Sequence, residues 1–475
     1  LLAWWLRRRS WQFQLILPNQ VLFWVVIVVG FVGVDDFELN FATTITWFVW
    51  FSLVFVLIAV TGRGWCAVCP FGGLAEWIQR GRLWHGRGKS TRRLGPGRTV
   101  PAWLSRYGYV PTAFMFGLLT WLEEYFGVSD GSSPSRTSWT VMGIILLALA
   151  AFVAFDRRSF CRHLCPLGGL IGVLGAGAPV TGFRARERRV CLECTTRDCL
   201  HGNARAYGCP WFNWPGGSDS NTNCGLCGEC FRACPSDNVG LFVDYPFAGL
   251  TRASDRRGDV AWTVAVIGGI VFAQHVRTAP LYDRIDVWST GLVGLPHGPN
   301  PVLFALLAAA CTVVLAGPAW VARALLYRQP PGGSVRRDAS FTHRITPFRV
   351  FFLPLSYAAI PLLAADFVAV ELLGFMQDSP KVLASLGRMA GMSAGSLAGL
   401  QSGHLLAGSQ VVAVQLGILV VGTVASVVVG WRIFAAEVVE TARAAVLARI
   451  GASGLMALAG ILVIFTYLVT NGEAG

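Results

Sequence analysis

Long apolar runs alternate with short polar connections along most of the chain. Nine such runs approach or exceed the ~20 residues a helix needs to cross a hydrocarbon core. They are 20–34 extended by 12–19, 43–62, 109–127, 139–155, 259–275, 300–322, 349–375, 409–433 and 452–470. The pattern predicts an all-α polytopic membrane protein of about nine transmembrane helices. One long polar insert interrupts it at about 156–258, rich in Gly, Pro, Asn and Arg and without sustained helical periodicity. The expected division is a four-helix membrane domain over 1–155, the insert over 156–258, and a five-helix membrane domain over 259–475.

Composition sharpens this picture. Charged residues make up only 14% of the 475 residues, where soluble domains run near ~25%, so much of the surface is expected to face lipid. Bases exceed acids by 13, and on such a chain the excess reads as membrane topology rather than nucleic-acid binding. Arg7, Arg8 and Arg9 precede the first run, whereas the next connection carries Asp35, Asp36 and Glu38. Bases return in the third segment (Arg63, Arg80, Arg82, Arg87, Lys89, Arg92, Arg93, Arg98, Arg106) and again at Arg323, Arg328, Arg336, Arg337, Arg344 and Arg349. A last basic connection holds Arg432, Arg443 and Arg449. The positive-inside rule then predicts a cytoplasmic amino terminus and an external carboxyl terminus in a cell inner membrane. No cleavable signal peptide is expected, and the leucine at position 1 suggests that the true start lies upstream.

Twelve of the thirteen cysteines fall between Cys66 and Cys234. In the insert the order is Cys191-x2-Cys194, Cys199, Cys209-Pro210, Cys224-x2-Cys227-x2-Cys230, then Cys234-Pro235. The last block is the run of two-cluster bacterial ferredoxins, in which the fourth cysteine serves the other cluster. Three thiolates in a tight loop reach three corners of a cubane, and a distant Cys-Pro closes the fourth. By that logic Cys191, Cys194, Cys199 and Cys234 hold one [4Fe–4S] cluster, and Cys209, Cys224, Cys227 and Cys230 hold the other. The insert is thus expected to be a small α+β two-cluster ferredoxin-like domain on the cytoplasmic side, where thiolates stay reduced. A pair of zinc sites is the alternative, since C-x2-C also suits zinc.

Two further pairs follow predicted membrane helices: Cys66-x2-Cys69-Pro70 after the second and Cys161-x3-Cys165-Pro166 after the fourth. Each continues as C-P-x-G-G-L, a weak internal duplication. Both leave their helices on the same predicted face, so four thiols could converge on a third cluster or another thiophilic metal. Two other readings stay open: a redox dithiol beside arginines, or Cys-Pro turns that only end helices.

At these residues, over about 10–245, the sequence resembles the membrane polyferredoxins of the NapH/NosR type. The marks are Trp65-Cys66…Cys69-Pro70-Phe71-Gly72 and Phe160-Cys161…Cys165-Pro166-Leu167-Gly168, followed by the two cluster motifs. The resemblance implies electron transfer between quinol and other redox subunits of a membrane complex. The related FixG/CcoG accessory proteins imply a second function, copper reduction during cofactor assembly. The resemblance does not extend to 259–475.

In that last region Asp366 is the most buried-looking acid. With Glu123 and Glu124 it is a candidate quinone or proton site. His275, His297, His343 and His404 lie near predicted helix ends or in loops, so no haem pair is expected, and Cys311 reads as a packed thiol. The expected function is therefore iron–sulfur electron transfer in contact with lipid, quinone and partner subunits, with cluster redox as its only chemistry.

Overall fold

The computed structural model describes residues 2–8, 10–81, 83, 98–129, 133–155, 157–252, 256–277, 280–293, 300–326, 347–437 and 442–472. The bases Arg9, Arg82, Arg87, Lys89, Arg92, Arg93, Arg328, Arg336, Arg337 and Arg344, with His297 and His343, lie outside the described residues.

Among the described residues, eight helices are long and apolar enough to cross a membrane: Trp11–Val32, Phe41–Thr61, Pro134–Ala154, Gly258–Arg277, Pro301–Ala322, Phe351–Asp378, Gly408–Ala435 and Val446–Val469. Each overlaps one expected run, and the protein is a multi-pass, mainly helical membrane protein. The remaining run, 109–127, forms a helix of 16 residues, Val110–Tyr125. At 1.5 Å per residue that is about 24 Å, shorter than the ~30 Å core. Tyr109 precedes it and Glu123 and Glu124 close it, so apolar length is what it lacks.

The chain packs as two units. The first takes in 1–108, 128–249 and 374–405. Its membrane helices are α1 (Trp11–Val32), α2 (Phe41–Thr61) and, after a further helix α3 (Pro70–Arg80), α4 (Pro134–Ala154). Helices α1, α3 and α4 pack on one another, and α5 (Pro166–Gly175) packs against the end of α2. The polar insert follows. Its frame is a two-stranded antiparallel sheet, β1 (Val180–Ala185) with β2 (Val239–Val243), bulged between Val180 and Gly182. Short helical turns hang between the strands, and Phe183, Phe231, Val239, Cys224 and Cys230 share a small core with Leu6 and Trp11. A frame this small buries little apolar area, the situation in which bound metal commonly supplies the missing stability.

The second unit takes in 109–127, 250–373 and 406–475. Here α6 (Gly258–Arg277) packs against both α7 (Pro301–Leu326) and the short helix Val110–Tyr125. The two last helices, α8 (Gly408–Glu437) and α9 (Ala442–Gly472), form an antiparallel pair. The helix Pro347–Asp378 supplies Asp366 and Glu371 to this unit.

Candidate metal centres

The membrane-edge motifs adopt one local structure twice. A proline disfavours helix at the residue before it, so each chain breaks at the cysteine and restarts at the proline. Cys69 has φ −61°, ψ 125° and Cys165 has φ −65°, ψ 121°, each leading directly into α3 or α5. A short helix precedes each break, Gly64–Val68 in one case and Ser159–His163 in the other. The extra residue in the second spacing, Leu164, is absorbed between that helix and Cys165 without changing the turn.

These turns bring the four thiols within one another's electrostatic reach. Burial pushes the Cys69 thiol up to about 11, and the Cys66 thiol adds to that. Cys165 rises to about 12 through burial and then through Cys69 and Cys66. Cys161 is held well above the ordinary range by burial, against the pull of Arg158, and its neighbours include Cys165, Cys69 and Cys66. Opposing this, Gly72 and Phe71 N–H groups face Cys69, and Gly168 and Leu167 N–H groups face Cys165. First-turn amides aimed at sulfur favour its thiolate form.

Two arginines, each wholly buried, brace this region. Arg63 stands three residues before Cys66, and Arg158 stands three residues before Cys161. Arg63 donates to Gly168 O at 2.9 Å and to Thr222 O, and lies 3.9 Å from Cys66 Sγ. Arg158 donates to Cys66 O and to Glu76 Oε1. Glu76 also meets Arg80 at 3.2 Å. Arg80 lies 3.9 Å from Glu229, which pairs with Arg232 at 2.7 Å. A buried charged chain thus runs from the membrane-edge turns into the loop that carries Cys227 and Cys230.

In the insert the cysteines sort into two neighbourhoods. Cys199 is raised to about 12 by burial and then by Cys191, Cys234 and Cys194, with Cys209 as a smaller contributor. Cys230 is raised well above the ordinary range by burial and then by Cys209, Cys224 and Cys227, with Cys199 as a smaller contributor. Cys209 rises to about 11, again mainly through burial. Cys194 alone is lowered, chiefly by the Arg197 N–H. The two neighbourhoods touch, since Cys209 N–H donates to Cys199 O at 2.8 Å. The second also borders the membrane-edge thiols: Arg158 faces both Cys161 and Cys227, and Arg63 faces Cys224.

Each Cys-Pro of the insert repeats the same sulfur-capping turn. Asn213 N–H donates to Cys209 Sγ and Asn238 N–H to Cys234 Sγ, both at 3.3 Å. Phe212 and Asp237, one residue earlier, both take left-handed φ, at 53° and 50°. The pattern is therefore C-P-x-x-N, a signal present in the sequence but not singled out by cysteine spacing. Cys224 Sγ accepts from Phe183 N–H at 3.3 Å and Cys191 Sγ from Asn238 Nδ2 at 3.4 Å. None of the thirteen cysteines is joined in a disulfide. Among the described residues no three His, Cys, Asp or Glu side chains close on a point that one metal ion could occupy.

The other candidates lie in the second unit. Asp366 is buried and meets His275 Nε2 at 3.1 Å. Glu124 pairs with Arg277, and Glu371 has Glu123 and Asp366 as electrostatic neighbours. The histidine partner of Asp366 was not expected. His275 falls in the last turn of α6, where sequence position alone suggests an interfacial residue.

This is a class of membrane protein with cysteine–proline turns at helix ends and a cysteine-rich insert folded beside them. The 4Fe-4S binding domain family matches residues 43–92 and 138–184, the two stretches that contain the membrane-edge pairs. The chain is 25% identical over 197 residues to the ferredoxin-type protein NapH of Escherichia coli (strain K12), covering 39% of this chain and 64% of that protein. It is 30% identical over 148 residues to the methylamine utilization ferredoxin-type protein MauN of Paracoccus denitrificans (strain Pd 1222), covering 29% of this chain and 47% of that protein. The aligned stretches thus span less than two thirds of either relative. No solved structure matches the chain. The resemblance to NapH-type membrane polyferredoxins is borne out.

Proposed function

We propose that the first unit conducts single electrons through two [4Fe–4S] clusters, held by Cys191, Cys194, Cys199 and Cys234 and by Cys209, Cys224, Cys227 and Cys230. A third site at Cys66, Cys69, Cys161 and Cys165 stands beside the second. The observation that carries this reading is the sorting of the insert thiols into two sets of four that adjoin through Cys199 and Cys209. The donor chemistry fits: sulfurs surrounded by N–H groups and closed by Cys-Pro turns suit cluster thiolates.

When bound, such clusters accept and release one electron at a time. The protein's part is to hold sulfurs at fixed spacing, to exclude water, and to set the local charge with Arg63, Arg158, Glu76 and Glu229. The first set contains the more exposed cysteines, Cys194, Cys199 and Cys234, whereas Cys209, Cys224, Cys227 and Cys230 are all buried. An external redox partner therefore meets the first set, and the membrane-edge turns lie at the other end of the series. Exchange with quinone of the inner membrane, with the insert cytoplasmic and the carboxyl terminus external, completes this reading. Its basis is the charge pattern and the NapH resemblance.

Copper reduction in cofactor assembly is the second reading, favoured by the convergence of four thiols at the membrane edge. Iron and labile-sulfide analysis of anaerobically purified protein, with EPR of the reduced state, tests both. About eight or about twelve irons per chain support electron transfer, without or with a third cluster. Stoichiometric zinc with negligible iron removes the proposal.

A further inference from the structure

The second unit carries a polar group that iron–sulfur chemistry does not use. Asp366 lies in the middle of the apolar helix Phe351–Asp378 and is only 3% exposed. His275 Nε2, from α6, meets both of its oxygens, at 3.2 and 3.1 Å. The Tyr467 ring, from α9, lies 5.6 Å from the imidazole and is itself buried. Glu371, from the Asp366 helix, faces Glu123 of the helix Val110–Tyr125, whose Glu124 pairs with Arg277 of α6. Three of the contributing helices present these groups near their carboxyl ends: Val110–Tyr125, α6 and α9.

Helices in lipid need no such cluster to associate; small residues and packing suffice. Replacing a buried ion pair by apolar groups is often neutral or stabilising. Ionisable side chains at this depth therefore mark a pathway more often than a brace. A further group points to a ligand. Gln415 of α8 is 2% exposed, and its Nε2 donates to Ala369 O at 2.9 Å, on the helix between Asp366 and Glu371. Its Oε1 is buried with no hydrogen-bond partner among the described residues. An amide oxygen held in that position can accept from water or from a protonated acid.

We propose that this cluster binds and exchanges a proton within the membrane-spanning part of the second unit. The Asp366 carboxylate and the His275 imidazole share the proton. On release it passes through water held by Gln415 to the Glu371 carboxylate and then to Glu123; no bond other than to hydrogen changes and nothing is oxidised. The titratable groups beside the pair are Glu371 on its own helix and Tyr467 on α9; Glu123 on Val110–Tyr125 lies beside Glu371, and its neighbour Glu124 pairs with Arg277 on α6. The inference rests on the second unit alone, so it stands or falls independently of the clusters.

The test is infrared difference spectroscopy of the full chain in lipid vesicles, stepped from about pH 5 to about pH 9, the range in which carboxyl and imidazole groups titrate. The expected result is loss of a carboxylic-acid carbonyl band that shifts in heavy water and is missing in Asp366→Asn. His275→Gln should move the midpoint of that band without removing it. The same band in the parent chain and in Asp366→Asn would overturn the proposal. So would its absence from the parent. Should Asp366→Asn fail to fold, nitrogen-15 NMR of histidine-labelled parent chain decides. A His275 resonance, assigned by its loss in His275→Gln, that titrates over this range supports proton exchange; one that stays constant overturns it.

Discussion

Arg63 and Arg158 stand at equivalent places in the two membrane-edge motifs, and each reaches across to the other. Arg63 donates to Gly168 O in the second motif, while Arg158 donates to Cys66 O in the first. The two cysteine pairs are thereby tied into one structure, although almost a hundred residues separate them in the chain. Glycine makes the approach possible. A Cβ on Gly172 would fall 2.2 Å from Arg63 Nη2, and one on Gly72 would crowd the Arg158 guanidinium.

Loss of either arginine should therefore damage both motifs. Arg158→Ala removes a donor from Cys66 O and takes one of its arginines from the buried Glu76. Breaking one side of a buried ion pair costs about 3–5 kcal/mol, so the thermal midpoint should fall clearly. Arg158→Lys should recover only part of this, because a single ammonium cannot hold both acceptors in the guanidinium geometry. Calorimetry of the three proteins in detergent checks the order; a lysine variant as stable as the parent would contradict the bridging role.

Serine variants should separate the thiol sets. Cys191→Ser with Cys194→Ser should remove about four irons per chain and one EPR signal. The signal of the second set should remain. Cys66→Ser with Cys161→Ser should leave both insert clusters in place. Iron analysis and EPR of each double variant would distinguish this from a mixed ligand scheme, in which either change abolishes both insert signals.

Much of this arrangement was legible beforehand. Cysteine spacing is local, and the C-x2-C-x2-C-x3-C-P run carries its pairing logic in the sequence, which is why Cys234 is expected with Cys191, Cys194 and Cys199 rather than with the run it closes. Apolar runs likewise located the eight long helices. The charged chain Arg158–Glu76–Arg80–Glu229 was not visible, because its members come from three separate segments and each alone looks like a boundary charge. His275 was missed for a related reason. Position near a helix end suggests an interface, whereas tertiary packing carries its ring onto Asp366, 91 residues away.

Gly182 offers a steric test of the second thiol set. It sits at the bulge of β1 with φ +95°, and an added Cβ would fall 2.9 Å from Cys224 Sγ. Strained backbone of this kind costs about 1–3 kcal/mol, and the sulfur cannot move without leaving its set. Gly182→Ala should thus lose the second cluster's signal and keep the first. Gly143→Ala, where a Cβ meets nothing within 4 Å, should behave as the parent. Equal cluster content in both variants would show that the bulge does not constrain Cys224.

Charge beside the second set should be readable as a potential. Glu229 lies between Cys227 and Cys230, is 2% exposed, and accepts from Tyr207 N–H at 2.8 Å as well as from Arg232. A cluster gains negative charge on reduction, so a carboxylate nearby disfavours the reduced state. Glu229→Gln keeps the shape and an acceptor oxygen while removing that charge. The midpoint of the second cluster should therefore rise, by roughly tens of millivolts, since cluster potentials follow local charge and hydrogen bonding. Glu193→Gln, at an exposed carboxylate paired with Arg189, should shift neither cluster measurably, because solvent screens it. EPR-monitored redox titration of both variants supplies the comparison. A fall in midpoint for Glu229→Gln, or equal shifts in the two variants, would mean that the buried carboxylate does not set the field at Cys227 and Cys230.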